Sequence, residues 1–426
     1  MSEHWSGAQA ERHLRSLELF GMRFGLDRMR RMMTAMGSPE RDFRSIHVLG
    51  TNGKTSTTRM IAAILEHHGL RTGTYTSPHL VSYDERVQIG EHDVSGGSFA
   101  AAVARAAAAS ERVNRTLGED DHVTQFELLT AAAFWELARQ EIEVAVIEAG
   151  LGGRYDATSV IESEVTVLTN VGLEHTRWLG PTVADIAAEK LAVVARGSIL
   201  ALGSGLHADA LRVAEEVAAK QGARIVRAGA QWSEPLLAKG AFQRANFALA
   251  KVAAEAYLET AGIEPQAQAM RAAALHVATP GRMQVIDTEP LTVLDGAHNP
   301  DAVAALAGSL PEMVGERPLG LVLGVLEDKD AASMLQTLLP LCERAWFTAP
   351  PSARALSPAA LQSLARQQGF EEVVCEPHPR AALAMAREWA RAQAPSGAVL
   401  ATGSIYLVGD LLAVEGASGQ QRMVGS

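Results

Sequence analysis

The stretch HVLGTNGKTSTT, His47 to Thr58, passes from a short apolar and β-branched run through a glycine-rich turn into a lysine and a row of hydroxyls. STTRMIAAILEHHG (56–69) continues it with a helical pattern. Strand, turn and helix in that order let backbone N–H groups and a helix N-terminus wrap a phosphate chain. Gly50 and Gly53 allow close backbone approach around Thr51 and Asn52, Lys54 is expected to set its ammonium on the β/γ-phosphates, and Thr55 or Ser56 offers a hydroxyl to Mg²⁺. The spacing G-x-x-G-K-T is shorter than the full P-loop pattern. Taken alone, the loop serves a kinase, a switch, a motor or a ligase, or is a glycine-rich turn with a surface lysine.

Working outward, short β-branched runs alternate with longer Ala/Leu-rich helical segments, the pattern of a parallel sheet with helices on both faces. Strands are predicted at 45–50, 71–77, 144–149, 165–170 and 198–202, with helices over 99–115 and 127–140. Thr279-Pro280-Gly281 breaks the pattern, and a second series follows at 283–287, 291–297, 319–325, 345–349, 372–375 and 398–404. Two α/β domains are expected, 1–275 and 279–426, with a ligand cleft and a hinge at their junction.

Composition narrows the partners. The chain has 426 residues, and its 47% hydrophobic content can fill a core in each domain. With 38 Lys and Arg against 49 Asp and Glu the net charge is −11, which argues against a broad nucleic-acid footprint. The opening MSEHWSGAQAERHLRS lacks a basic run followed by an apolar one, and no stretch is apolar for long enough to span a bilayer. A cytoplasmic protein without membrane or nucleic-acid partners, and a monomer, is expected. Cys342 and Cys375 read as ordinary buried thiols.

Four places after strand ends carry chemistry. YTSPHL (75–80) holds Ser77 and His79; VIEAGLGGRYDAT (146–158) holds Glu148, Arg154 and Asp156; TNVGLEHT (169–176) holds Glu174 and His175; IAAEKLAVV (186–194) holds Glu189 and Lys190. Each alone has a bland alternative: an edge glutamate, a surface histidine, a solvated helix lysine. All fall on the carboxyl edge of one sheet, where open α/β sheets bind ligands. Ser77, Glu148 and His175 form an O/O/N set suited to Mg²⁺ or Mn²⁺ beside phosphate. Phe126 can stack on a flat heterocycle or simply fill the core.

HVLGTNGKTS, YTSPHL, GLGGRYDAT, GLEHT, AAEK, PGR, DGAHNP, EDKD and ATGSIYLVGDLL occur in the order seen in folylpolyglutamate synthases and dihydrofolate synthases, members of the Mur ligase superfamily. The resemblance spans about residues 10 to 410. It implies a two-domain Mur-ligase-like architecture: an N-terminal P-loop ATPase-type domain binding ATP and pterin, and a smaller C-terminal Rossmann-like glutamate ligase domain. It implies an acyl phosphate made from ATP and a substrate carboxylate, then displacement by the amine of L-glutamate. Two Mg²⁺ sites are implied, the second held by Ser77, Glu148, His175 and a carbamylated lysine matched by Lys190. Asn246, Arg282, Asp295 and His298 match nucleotide-side residues, and Asp156 with Ala157 matches the pterin side. Where that family usually has Gly after the loop lysine this chain has Thr55, as in the peptidoglycan Mur ligases, so Thr55 and Ser56 both stay open as the metal hydroxyl. DGAHNP (295–300) is also compatible with a strand–turn–helix junction capped by Asn299.

A ligase joining glutamate to dihydropteroate, a reduced folate or both is therefore expected. The alternatives are a Mur-type ligase acting on a UDP-sugar peptide, which the lack of a UDP-binding leader domain disfavours, and a nucleotide-binding switch without catalysis.

Overall fold

The computed structural model describes residues 5–17 and 25–419. They form two compact units, Met1–Leu237 with Ala245–Val277, and Ala238–Arg244 with Ala278–Ser426, so the division falls inside the helix Ala241–Ala261.

The first unit carries eight strands: β1 (Arg44–Leu49), β2 (Thr72–Tyr75), β3 (Val87–Ile89), β4 (His92–Asp93), β5 (Val144–Glu148), β6 (Val165–Leu168), β7 (Ile199–Leu202) and β8 (Arg224–Arg227). Their order is β4-β3-β2-β5-β1-β6-β7-β8. From β2 to β8 all neighbours run parallel, and only β3 and β4 turn back. Strands buried on both faces must be apolar throughout, and VAVIE and VTVL are buried at every position. The central strand β1 lies between β5 and β6, so the loop after it has a strand end on each side. One core face packs Phe134, Leu128 and Tyr75, the other Ile186, Leu200 and Leu168.

The second unit has β9 (Gln284–Thr288), β10 (Leu291–Leu294), β11 (Leu319–Leu323), β12 (Arg344–Phe347), β13 (Val373–Cys375) and β14 (Ala398–Thr402), ordered β13-β12-β11-β14-β10-β9, with β9 antiparallel. Leu321, Leu400 and Phe347 centre its core.

The α/β reading of both sheets holds, while the β3–β4 hairpin, β8 and the antiparallel edges were not legible. One expectation is corrected. Cys342 is half-buried but Cys375 is exposed, because it ends the edge strand β13. Among the described residues no helix is long and apolar enough to cross a membrane.

Candidate functional site

The phosphate-type loop is built by its neighbours as much as by its own glycines. Gly50 has φ +147°, and a Cβ there would sit 1.8 Å from Thr169 Oγ1. That hydroxyl donates to the Asn52 carbonyl oxygen at 2.6 Å. Asn170 completes the brace: its carbonyl accepts from the Thr51 amide at 3.1 Å and its Oδ1 from the Asn52 amide at 2.9 Å. Gly53, at φ +80°, starts the helix Lys54–His67 without a side-chain cap, so its first amides are available to an anion. Asn246 Oδ1 would lie 2.6 Å from a Cβ at Gly53. Lys54 Nζ donates to the Thr51 carbonyl at 3.2 Å.

On the other side β5 delivers Glu148, 1% exposed. Its carboxylate accepts from Thr55 Oγ1 at 2.9 and 3.0 Å and from the Ser77 amide at 3.2 Å. A buried carboxylate with partly buried hydroxyls beside a phosphate loop offers the hard oxygen donors a small dication takes, so these residues fit Mg²⁺. Among the described residues no group of three or more His, Cys, Asp or Glu side chains gathers to hold a metal. His175, in left-handed backbone at φ 55°, caps the short helix Thr176–Leu179, is exposed, and has Nε2 3.9 Å from Glu174.

Lys190 is not a solvated helix lysine. It stands near the end of the helix Val183–Leu191, 4% exposed, and its Nζ donates to the Gly50 carbonyl at 2.9 Å. Burial, with the Lys54 cation adding to it, pushes its pKa down to about 7. At neutral pH a large fraction is therefore free amine.

Phe126 sits at the start of the helix Gln125–Arg139, whose capping box pairs Thr124 with Glu127. Glu127 is also gripped by Arg28 Nε at 3.0 and 3.1 Å. The Phe126 ring is half-buried, stacks at 6.3 Å on Tyr75, and lies where a Cβ on Gly150 would come within 2.5 Å of it. Asp156 is buried, with its carboxylate turned onto its own loop: Oδ2 accepts from the Leu151 amide at 2.7 Å and Oδ1 from the Thr158 amide and hydroxyl. Burial pushes its pKa up. Ala157 is buried beside it.

Sequence reasoning named His79 but missed what it meets. Arg86, 8% exposed, donates from Nε to His79 Nδ1 at 3.0 Å, and the His79 ring packs on Tyr83 at 4.2 Å. Thr169, Asn170, His47 and Thr158 were missed as well. Thr169-Asn170 carried a signal, since they open TNVGLEHT directly after the strand β6.

In the second unit Asp295 directly follows β10 and is 2% exposed; its carboxylate accepts from the Met283 and Ala297 amides, each at 2.8 Å, and burial raises its pKa. Arg282 Nη1 would lie 2.3 Å from a Cβ at Gly296. His298 Nδ1 is 2.9 Å from the Gly296 carbonyl, and Asn299 Oδ1 accepts from the Ala302 amide at 2.9 Å, capping the helix Pro300–Val314. The capping role of Asn299 is thus real.

Residues 48–231 match the Mur ligase middle domain, and 281–405 the Mur ligase glutamate ligase domain. The chain is similar to folylpolyglutamate synthase of Lacticaseibacillus casei, 34% identical over 365 residues, 79% of this chain and 84% of that protein. In structure it resembles Mycobacterium tuberculosis folylpolyglutamate synthase complexed with ADP, with a TM-score of 0.89 and 30% identity, over 96% of this chain and 98% of the other. E. coli FolC in complex with DHPP and ADP gives 0.83 and 27% over 97% and 99%.

Proposed function

Since the chain belongs to the folylpolyglutamate synthase and dihydrofolate synthase family of Mur ligases, we propose that it is an ATP-dependent ligase that forms an amide between L-glutamate and dihydropteroate, a reduced folate, or both. The observation that carries this is the junction of two strand ends and a helix at one loop: Glu148 on Thr55, Asn170 on Thr51 and Asn52, and Lys190 on Gly50. A switch that only binds nucleotide needs no second metal site, the use assigned here to Glu148 and Lys190.

One oxygen of the substrate carboxylate attacks the γ-phosphorus, the bond to the bridging oxygen breaks, and ADP leaves. The amine of glutamate, as free base, then attacks the acyl carbon; the bond to phosphate breaks and the amine proton passes to solvent. Phosphoryl transfer asks mainly for positioning and charge neutralisation. Lys54 and the first amides of the helix Lys54–His67 provide these from the protein. Magnesium, when bound, supplies further neutralisation, and Ser77, Glu148, His175 and Ser56 are the residues assigned to hold it at two sites. Thr55 orients Glu148 from the loop side.

Lys190 is assigned a carbamate. Its buried amine, with its pKa pushed down to about 7, is in part the free base that adds CO₂, and the product is an anionic oxygen donor in place of a cation. Phe126, Asp156 and Ala157 are assigned to the pterin, Asn246 to adenine in the first unit, and Arg282, Asp295 and His298 to the nucleotide in the second. On this reading the enzyme works in the cytoplasm as a monomer on small molecules. The test is phosphate release with ATP and L-glutamate in the presence of dihydropteroate, tetrahydrofolate or a UDP-linked muramyl peptide. Stimulation by a pterin supports the reading; stimulation by the muramyl substrate alone overturns it.

A further inference from the structure

His47 lies in β1, three residues ahead of the phosphate loop, and is 1% exposed. Its Nε2 is 2.8 Å from Thr158 Oγ1. Thr158, fully buried, donates its hydroxyl to Asp156 Oδ1 at 2.5 Å and its amide to the same oxygen at 3.0 Å. A hydroxyl has one proton to give. Because Thr158 gives it to Asp156, Thr158 Oγ1 must accept from His47, and the imidazole is the neutral Nε2–H tautomer. Burial, which pushes the His47 pKa down to about 3, keeps it neutral over the working range.

The chain of bonds ends on a loop that touches two parts of the site. Asp156 Oδ2 closes the turn through the Leu151 amide at 2.7 Å. At one end of that loop Gly150 lies so close to Phe126 that a Cβ would meet the ring at 2.5 Å. At its middle, the Arg154 amide donates to the Glu189 carbonyl at 3.0 Å, and a Cβ on Gly153 would sit 2.3 Å from the Lys190 carbonyl oxygen. No slack is left at either place.

We propose that His47 is a positioning residue: by donating to Thr158 it fixes the Asp156 carboxylate and seats the 150–158 loop against Phe126, which shapes the pocket for the flat carboxylate substrate. His47 itself is buried inside β1 and acts through Thr158. The nature of that substrate rests on the ligase reading above, whereas the seating of the loop does not.

The experiment uses the full chain as wild type, His47→Phe, His47→Gln, Thr158→Val and the His47→Phe/Thr158→Val double variant. Two readouts are taken: KM for dihydropteroate or tetrahydrofolate and for ATP, and hydrogen exchange of the 150–158 amides. His47→Phe fills the space without a donor, and His47→Gln can return an N–H to the Nε2 position. Loss of one buried donor is expected to raise the pterin KM about tenfold, leave the ATP KM within about twofold, and speed exchange at Leu151 and Thr158 about tenfold. His47→Gln recovers most of the loss, and the double variant is no worse than either single one, as residues in one relay are not additive.

Wild-type pterin KM and unchanged exchange in His47→Phe would overturn the proposal. So would a parallel rise in both KM values with additive single variants, which is the signature of lost packing. A wild type that turns over no pterin, with loop exchange still responding as stated, would overturn the substrate reading and leave the relay standing.

Discussion

Lys190 Nζ donates a 2.9 Å hydrogen bond to the carbonyl oxygen of Gly50, 140 residues earlier in the chain. The contact places an amine, buried and pushed down to about pH 7 in its pKa, directly behind the phosphate loop. CO₂ adds only to the free amine, so modification is favoured as pH rises through about 7 and opposed below it. Activity after CO₂ depletion is expected to return with bicarbonate at pH 8 and far less at pH 6 (roughly one unit either side of that value). Lys190→Ala should be inactive and partly rescued by acetate, and Lys190→Arg should stay inactive, since guanidinium neither forms a carbamate nor binds a cation. Mass and electron density at Lys190 check the adduct. An unmodified side chain with full activity in Lys190→Arg would contradict it.

Lys54→Ala removes an ammonium that donates to the Thr51 carbonyl of its own loop. Stability should change little, while kcat falls about 10²–10³-fold, the usual loss for one charge-stabilising donor at a transfer site. A variant with more than half of wild-type kcat would show that phosphate is handled elsewhere.

Thr55 meets Glu148 through its hydroxyl, at 2.9 and 3.0 Å. Thr55→Val keeps the shape and removes that donor. The Mg²⁺ concentration for half-maximal activity should then rise about tenfold, as for the loss of a group that orients a metal ligand, and Thr55→Ser should restore it. Equal Mg²⁺ dependence in Thr55→Val would assign the hydroxyl a purely structural role.

Gly50→Ala is expected to collapse activity with intact secondary structure by circular dichroism. Its φ of +147° and the 1.8 Å approach to Thr169 Oγ1 leave no room for a methyl. The Thr169 hydroxyl would have to leave the Asn52 carbonyl it holds at 2.6 Å, and the loop would open. Nucleotide affinity near wild type would refute this.

Much of this site was legible because its signals are local. The run from His47 to Thr58 announces a strand, a turn and a helix, and each further motif sits just past an apolar run. What stayed hidden depends on which strand lies beside which. Thr169 and Asn170 brace the loop only because β6 flanks β1, an order that periodicity does not carry. That Thr55 meets Glu148 could not be read either, since the carboxylate arrives on β5, 93 positions away. His47 read as one more residue of a buried strand, because its partner Thr158 is 111 positions away. The β3–β4 hairpin escaped for a simpler reason: strands of three and two residues show no alternation to count.

The central claim, an acyl phosphate drawn from ATP and a pterin carboxylate, is tested most directly by isotope transfer. Dihydropteroate or tetrahydrofolate carrying oxygen-18 in its reacting carboxyl is incubated with ATP, Mg²⁺ and L-glutamate, and both products are weighed by mass spectrometry. The account predicts a product one glutamate residue heavier and inorganic phosphate that has gained one labelled oxygen from the carboxyl. Heavier product with unlabelled phosphate, or labelled substrate returned unchanged while ATP is hydrolysed, would contradict it.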